Sequence, residues 1–545
     1  MARRGLIEFA ASTVVIVILT MAVTWPQVQH LSTQIAAHDD AMFSIWRLSW
    51  VAHALGTDPA HIFDGNIFHP VRQTLTFSDA MLLEGVIAAP FFWAGVSPVL
   101  IYNLLLLGGI AASGVAMFIL ARSLTGAWGP ALVAAAIFTL APYRIEHFTH
   151  LELQWAMWIP LTFWAIHRTI RDEDWRFGVL TGIFLWLQAL SCVYYGLFLT
   201  VACVVLIMLL LAADPGRAVR ALPMLALGAF AALALTMPYA LPYVRTARTM
   251  SRSATEVAIY SATLWNYLAS PAQSAFWWWT GDRFGGAEHS LFPGVVSLVL
   301  ACAAVGFQPR KMVAVYVGLT VVLVELSLGL NGQLYSWLFR SVDALHGFRA
   351  PSRFGLLACA TIALLAGFGA RAIQVRAANA SRSAAAIAWA TLTILIASDY
   401  ATRGMLLVEP PYRSASTASV YEAIQSLGRS PVVELPLPLL EALPGHDATY
   451  MLWSTAHWYP LVNGNSGYYP AAFGDTVTRM ATFPDDRSMA HLASLGVRYV
   501  IVHRVFYDRG QYDSLVERMA GRQDLLQQGT YNDPLGECQL FTMNP

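Results

Sequence analysis

YGLFLTVACVVLIMLLLAA (195–213) runs for 19 residues without a charge or a proline. As a helix, at about 1.5 Å per residue, it comes close to the ~30 Å of hydrocarbon in a bilayer. Arg217 and Arg220 follow it. Working outward, runs of similar character appear at 6–25, 99–120, 128–142, 153–169, 176–192, 221–242, 291–307, 312–330, 353–370 and 384–400. Composition agrees with lipid as the main solvent: 12% of the 545 residues are charged and 57% are hydrophobic, whereas a soluble domain carries about 25% charge. Mean hydropathy is +0.53. The 33 basic and 33 acidic residues cancel, which excludes the basic footprint of a nucleic-acid binder. Cysteines 192, 203, 302, 359 and 538 have no ligand spacing, so neither a disulfide framework nor a zinc site is supported.

Orientation follows from the short basic loops at Arg122, Arg168/Arg171/Arg176, Arg217/Arg220, Arg310/Lys311 and Arg371/Arg376/Arg382. The positive-inside rule puts all of them, with Arg3 and Arg4, in the cytoplasm. That alternation holds only if the further apolar stretch 80–96 does not cross. Asp79, Glu84 and Pro90 also suit it poorly to lipid, since a mid-bilayer carboxylate costs about 2.5–3.5 kcal/mol. The expectation is therefore about 11 spans in an α-helical polytopic membrane domain, residues 1–400, with a re-entrant or interfacial helix at 80–96. The N-terminus would face the cytoplasm. The first outer loop would cover 26–98, and residues 401–545, of ordinary soluble composition, would form a small outer (periplasmic) α/β domain. In that domain VVELPLP (432–438), VRYVIVHR (497–504) and CQLFTMN (538–544) read as strands, while SVYEAIQSLG and YDSLVERMAG read as helices ending in glycine. No nucleotide-binding glycine loop occurs, which argues against a pump or a transferase fed directly by a cytosolic nucleotide sugar.

Every histidine but His167 falls on the expected outer side, where the polar residues gather in clusters. HDDAMFSIWRLSW (38–50) starts an amphipathic helix with two acids, Asp39 and Asp40. One of them suits an N-cap, and a carboxylate at a cavity mouth also suits a general base acting on a hydroxyl. PYRIEHFTHLELQ (142–154) concentrates Arg144, Glu146, His147, His150, Glu152 and Gln154 in one short turn. It reads as a hydrated cap with internal ion pairs, as an anion or substrate-hydroxyl site, or less readily as a metal site. GFRAPSRFG (347–355) sets Arg349 and Arg353 at a span boundary, suited either to bidentate phosphate contact or to snorkelling. Glu288 and His289 precede LFPG (291–294) and are candidates for the same cavity. YMLWSTAHWYPLVNGNSGYYP (450–470) gathers His457, Trp458 and Asn463 with further aromatics. That stretch suits either sugar stacking or the packing of the domain onto a surface. Trp277–Trp279 read as an interfacial belt.

HDDAMFSIW, NIFHP (66–70), TFSD (76–79), APYRIEHFTHLELQW (141–155), LFPG and GFRAPSRFG together resemble a group of bacterial polytopic membrane proteins with the C-type glycosyltransferase fold. The resemblance covers about 1–400 and extends loosely through HWYPLVNGNSG (457–467). It implies a first-loop acid as catalytic base, six residues before a tryptophan, which here is Asp40 before Trp46, with Asp39 as its alternative. It implies a polyprenyl-phosphate-sugar donor, with Arg349, Arg353, Arg144, Glu288 and His289 on the donor phosphate side. His69, His147, His150, Glu152, Gln154, His457, Trp458 and Asn463 would lie on the substrate side. The function read from all this is a glycosyltransferase of the bacterial inner membrane. It would move a sugar to a glycan, lipid or protein acceptor outside, with inversion, needing no obligatory cofactor though compatible with Mg2+ or Mn2+. The competing readings are a transporter or flippase of lipid-linked glycans and a non-catalytic glycan-binding assembly protein. Against transport, the charges gather on one side and not at mid-bilayer.

Overall fold

A computed structural model describes residues 2–247, 250, 252–286, 288–307, 311–411 and 418–544. Arg310, from one of the basic loops, lies outside these residues, as do the side chains of Arg3 and Arg4. The chain divides into two compact units. The first comprises Met1–Leu31 and Asn103–Leu406, the second Ser32–Tyr102 and Leu407–Pro545.

The first unit is helical. All 11 apolar runs fold as helices, and among the described residues six are long and apolar enough to cross a membrane: Gly5–Val23, Pro98–Thr125, Trp128–Glu146, Val193–Ala213, Pro215–Ala247 and Pro351–Ala380. The other five, Trp158–Asp172, Trp175–Ser191, Val295–Phe307, Lys311–Ser327 and Arg382–Asp399, hold 13–18 residues. Phe354–Ala380 is the central helix, packed against Trp128–Leu140, Val295–Phe307 and Lys311–Ser327. Lipid offers no hydrophobic force between helices, so close approach depends on small residues. Gly369 lies directly against the Leu300 carbonyl, and Gly178 and Gly182 against the backbone of Met224 and Gly228, where any side chain would collide.

The second unit joins two distant pieces of chain. Leu407–Pro545 supplies a four-stranded sheet. Counting from the short pair β1 (Ile35–Ala36) and β2 (Leu407–Val408), its strands are β3 (Val432–Leu435), β4 (Tyr499–His503), β5 (Leu525–Asp533) and β6 (Gly536–Met543). Their order is β3-β4-β6-β5, with β3 parallel to β4 and the other pairs antiparallel. β3 and β4 are buried along their whole length, as expected of parallel strands covered on both faces. The three strands and two helices read from the sequence are all present, and β5 is an addition. Its run LLQQGTYND is exposed or half-exposed at most positions, so it lacks the apolar alternation that marks a strand.

Ser32–Tyr102 packs on this domain within the same unit. Phe68 N–H donates to the Asn463 carbonyl (3.0 Å), His69 N–H to that of Leu461 (2.9 Å), and Leu461 N–H to that of Asn66 (2.7 Å). The Asn66 side chain adds bonds to Ser454 Oγ and the Tyr459 carbonyl, both 3.1 Å. The 80–96 stretch forms a helix over Leu82–Trp93. Its 12 residues extend about 18 Å. It packs on the Asp39–Thr57 helix, with Gly85 against Val51.

Inside the sheet domain lies a buried polar network. His503 binds Glu434 through Nε2 (2.8 Å) and Asp533 through Nδ1 (2.7 Å), and Tyr421 donates to Glu434 (3.1 Å). Beside it Asp447 accepts from Asn463 Nδ2 (3.0 Å), while its Oδ2 is buried without a hydrogen-bond partner. Burial, only partly offset by Asn463, pushes the Asp447 pKa up to about 8. The folded state therefore binds a proton that the unfolded chain, with a carboxyl near 3.8, releases. Stability falls as pH rises between those two values and levels off above about 8. Asp447→Asn keeps the shape and removes the ionisation. The variant should lose that decline and unfold at a higher temperature than wild type at pH 8, measured by thermal unfolding of the full chain across pH 4–9. A parallel decline in the variant would count against a protonated Asp447.

Candidate active site

The acidic pair opens the Asp39–Thr57 helix, and His38 is its N-cap residue. His38 Nδ1 lies 3.2 Å from the Asp40 N–H and 3.1 Å from Asp40 Oδ2. A neutral ring accepts from the backbone there, and a protonated ring donates to the carboxylate. The hydrogen bond to Asp40 raises the His38 pKa against the opposing effect of burial. The capping role thus belongs to His38, and both carboxylates sit in the first turn, where the helix dipole favours negative charge. Burial raises the Asp39 pKa, while His38 and His446 pull it down and Asp40 adds to the rise. His446 comes from the sheet domain: it precedes the helix Asp447–Ser454, stacks on Phe506 (3.8 Å between ring centres), and has its own pKa lowered by burial. Thr449 Oγ1 meets Met42 Sδ at 3.9 Å, one turn beyond His446 and Asp39 respectively. Two helix N-termini from distant parts of the chain therefore lie side by side, with two acids and two histidines between them.

The other residues of this unit serve packing. His69 Nε2 reaches the Leu495 carbonyl (3.0 Å). Trp458 stacks on His53 (4.5 Å) and meets Trp50 edge-on. His457 Nδ1 accepts from the Tyr459 N–H (3.0 Å), and its ring stacks on Tyr421. Asn463 accepts from the Glu434 N–H (2.8 Å) and donates to the Glu434 carbonyl (2.9 Å), which ties it to the edge of β3. These contacts pack 450–470 within its own unit.

In the first unit the turn 142–154 is a correction to the hydrated cap. Arg144, His147, Glu152 and Gln154 are all buried. Arg144 Nε donates to the Phe138 carbonyl (2.8 Å), and Gln154 Nε2 donates to the carbonyls of Arg144 (3.1 Å) and His147 (2.7 Å). Arg144 thus satisfies a carbonyl at the end of the helix Trp128–Leu140, and Gln154 satisfies two at the end of the short helix Pro142–Glu146. Arg353 is likewise buried (5% exposed) and does not snorkel. It grips Glu288 bidentately, Nε to Oε2 at 2.8 Å and Nη2 to Oε1 at 3.0 Å, over the Tyr194 ring. Burial alone would raise the Glu288 pKa. Arg353 outweighs it, with help from His147 and His150, and holds the carboxyl well below its usual range. Glu146 accepts from Ser290 Oγ (2.9 Å). Glu288 thus joins the 142–154 and 347–355 clusters, which the sequence left separate. His289, buried like Glu288's partner, lines a neighbouring cleft. Arg349 is 27% exposed, 3.8 Å from Glu256 and over the Tyr260 ring.

His503, Asp533 and Cys538 also bring potential ligand atoms within 4.8 Å of one another. Both imidazole nitrogens there are hydrogen-bonded to carboxylates and burial raises the Cys538 thiol pKa, so the group reads as an ion network and not as a metal centre. Its signal in sequence was slight: one glutamate inside an apolar strand and one histidine ending another.

No family model matches the chain, and no curated protein does. Solved structures do. The oligosaccharyltransferase AglB of Archaeoglobus fulgidus, in complex with an inhibitory peptide and a dolichol-phosphate, aligns at a TM-score of 0.53 over 91% of this chain and 69% of its own, with 12% identity. The apo form of the A. fulgidus oligosaccharyltransferase gives 0.49 over 90% and 69%, again at 12% identity. The likeness to AglB is one of fold. It agrees with the helical membrane domain and small sheet domain expected from the sequence.

Removing one partner of a buried ion pair costs about 3–5 kcal/mol. Arg353→Gln should therefore lower the thermal midpoint of the purified protein substantially, and Glu288→Gln should do the same. Arg353→Lys, which keeps charge but loses the fork, should fall between. If Arg353→Gln unfolds with wild type, the pair carries no structural load.

Proposed function

We propose that the chain is a membrane glycosyltransferase that moves a sugar from a polyprenyl-phosphate-linked donor to an acceptor on the outer face of the bacterial inner membrane. The observation that carries the reading is the fold shared with an oligosaccharyltransferase over 91% of the chain; that neighbour was solved with a dolichol-phosphate and a peptide. The acidic pair at the start of a first-loop helix supports the same reading. In this proposal all 11 helical runs cross the membrane, the basic loops face the cytoplasm, and the acidic pair and the sheet domain face out.

Asp40 takes the proton of the acceptor hydroxyl as the oxygen attacks the anomeric carbon, and the carrier phosphate departs from the opposite face with inversion. His38, against Asp40, fixes the carboxylate. Arg349 is the arginine suited to a carrier phosphate; Arg353, already paired with Glu288, holds its neighbouring loops in place. The reaction requires no cofactor. Were a divalent cation used, Asp39 and Asp40 are the hard oxygen donors suited to it. Asp39, the adjacent acid of the pair, is the second reading for the base; burial raises its pKa.

Asp40→Asn should fold and bind donor lipid normally yet transfer sugar about 10²–10⁴-fold more slowly. Asp39→Asn should be less impaired. The reverse order would move the base to Asp39, and two fully active variants would end the carboxylate mechanism at this helix.

A further inference from the structure

Between the turn Leu264–Leu268 and the helix Trp278–Phe284 lies an open cleft of about 440 Å3, lined by Thr263, Trp265, Asn266, Arg283 and His289 among others. Asn266 makes its walls rigid. Its Oδ1 accepts from the N–H (2.6 Å) and hydroxyl (3.0 Å) of Thr263, and its Nδ2 donates to the Phe284 carbonyl (2.6 Å). Trp265 stacks on Phe284 at 5.9 Å with nearly parallel rings, yet its side chain is 64% exposed. Arg283 is exposed, and no carboxylate holds it among the described residues. His289 is 7% exposed, and its Nε2 lacks a hydrogen-bond partner.

Anchoring in lipid headgroups explains an exposed tryptophan, and Phe276, Trp278 and Trp279 nearby fit that role. It explains neither the rigid walls nor the polar groups gathered around the indole. An electron-rich ring face attracts the partly positive C–H face of a pyranose, and an exposed guanidinium attracts an oxyanion in a two-pronged contact.

We infer that this cleft binds a pyranose carrying an anionic group, with the ring on Trp265 and the oxyanion on Arg283. The class of ligand rests on the glycosyltransferase reading. The same chemistry is found in the sugar-phosphate head of a lipid donor and in an acidic sugar of an acceptor glycan.

The test is calorimetric titration of the full chain in lipid nanodiscs with glucose 1-phosphate, glucuronate, glucose and inorganic phosphate. Saturable binding of an anionic sugar, tighter than glucose or phosphate, is expected. Tighter glucose 1-phosphate assigns the cleft to the donor head, and tighter glucuronate to the acceptor. Trp265→Ala should weaken binding about tenfold or more, and Arg283→Gln should remove the preference for charge by a similar factor. Both side chains are exposed, and unchanged thermal midpoints would exclude misfolding. Absent anionic-sugar binding, or binding that neither substitution changes, overturns the proposal. Binding is read without turnover, so the two readings fail separately. A wild type that transfers sugar but does not bind here overturns only the cleft, and one that binds here but never transfers overturns only the transferase.

Discussion

Three backbone hydrogen bonds between residues 66–69 and 461–463 are the constraint on which the acidic helix depends. A loop of roughly 70 residues between two apolar helices would carry many free N–H and C=O groups and a large ordering cost. Here the loop becomes part of a second hydrophobic core. Its helix Asp39–Thr57 packs against Asp447–Ser454, and Trp458 closes over Trp50 and His53. The acids at its tip are thereby held by a domain that begins more than 300 residues later in the chain.

Buried charge is handled in two ways. In the helical unit Arg353 and Glu288 neutralise each other with good two-pronged geometry, while Arg144 and Gln154 cover backbone carbonyls. In the sheet domain His503 sits between two carboxylates, and Asp447 avoids ionisation at neutral pH through its raised pKa. Each solution limits the cost of removing charge from water. At the tip of the Asp39–Thr57 helix the acids are only partly buried, so water bears part of the cost of their charge.

The fold resembles that of an oligosaccharyltransferase with almost no shared sequence. A fold of this kind rests on apolar helix faces and small residues at crossings, such as Gly178, Gly182 and Gly369. Many sequences satisfy those demands, so architecture persists where identity is lost. Chemistry must then be argued from particular side chains.

The apolar runs, the basic loops and the strands VVELPLP and VRYVIVHR were legible in the sequence because each is a local pattern of period and polarity. So was the acidic pair, as two carboxylates opening an amphipathic helix. Other features depend on partners far apart in the chain, which no local pattern encodes. Glu288 needed Arg353, 65 residues away, before its charge made sense; Glu434 needed His503 and Asp533. Arg144 looked like a surface cation until the carbonyl of Phe138 accounted for it. Nothing local to Trp458 showed that His53, about 400 residues earlier, would lie against it. Sequence by itself determined which segments are apolar and which carry charge. Only the tertiary structure decided which charges are spent on one another, because a buried charge must be paired and its partner is chosen by the fold.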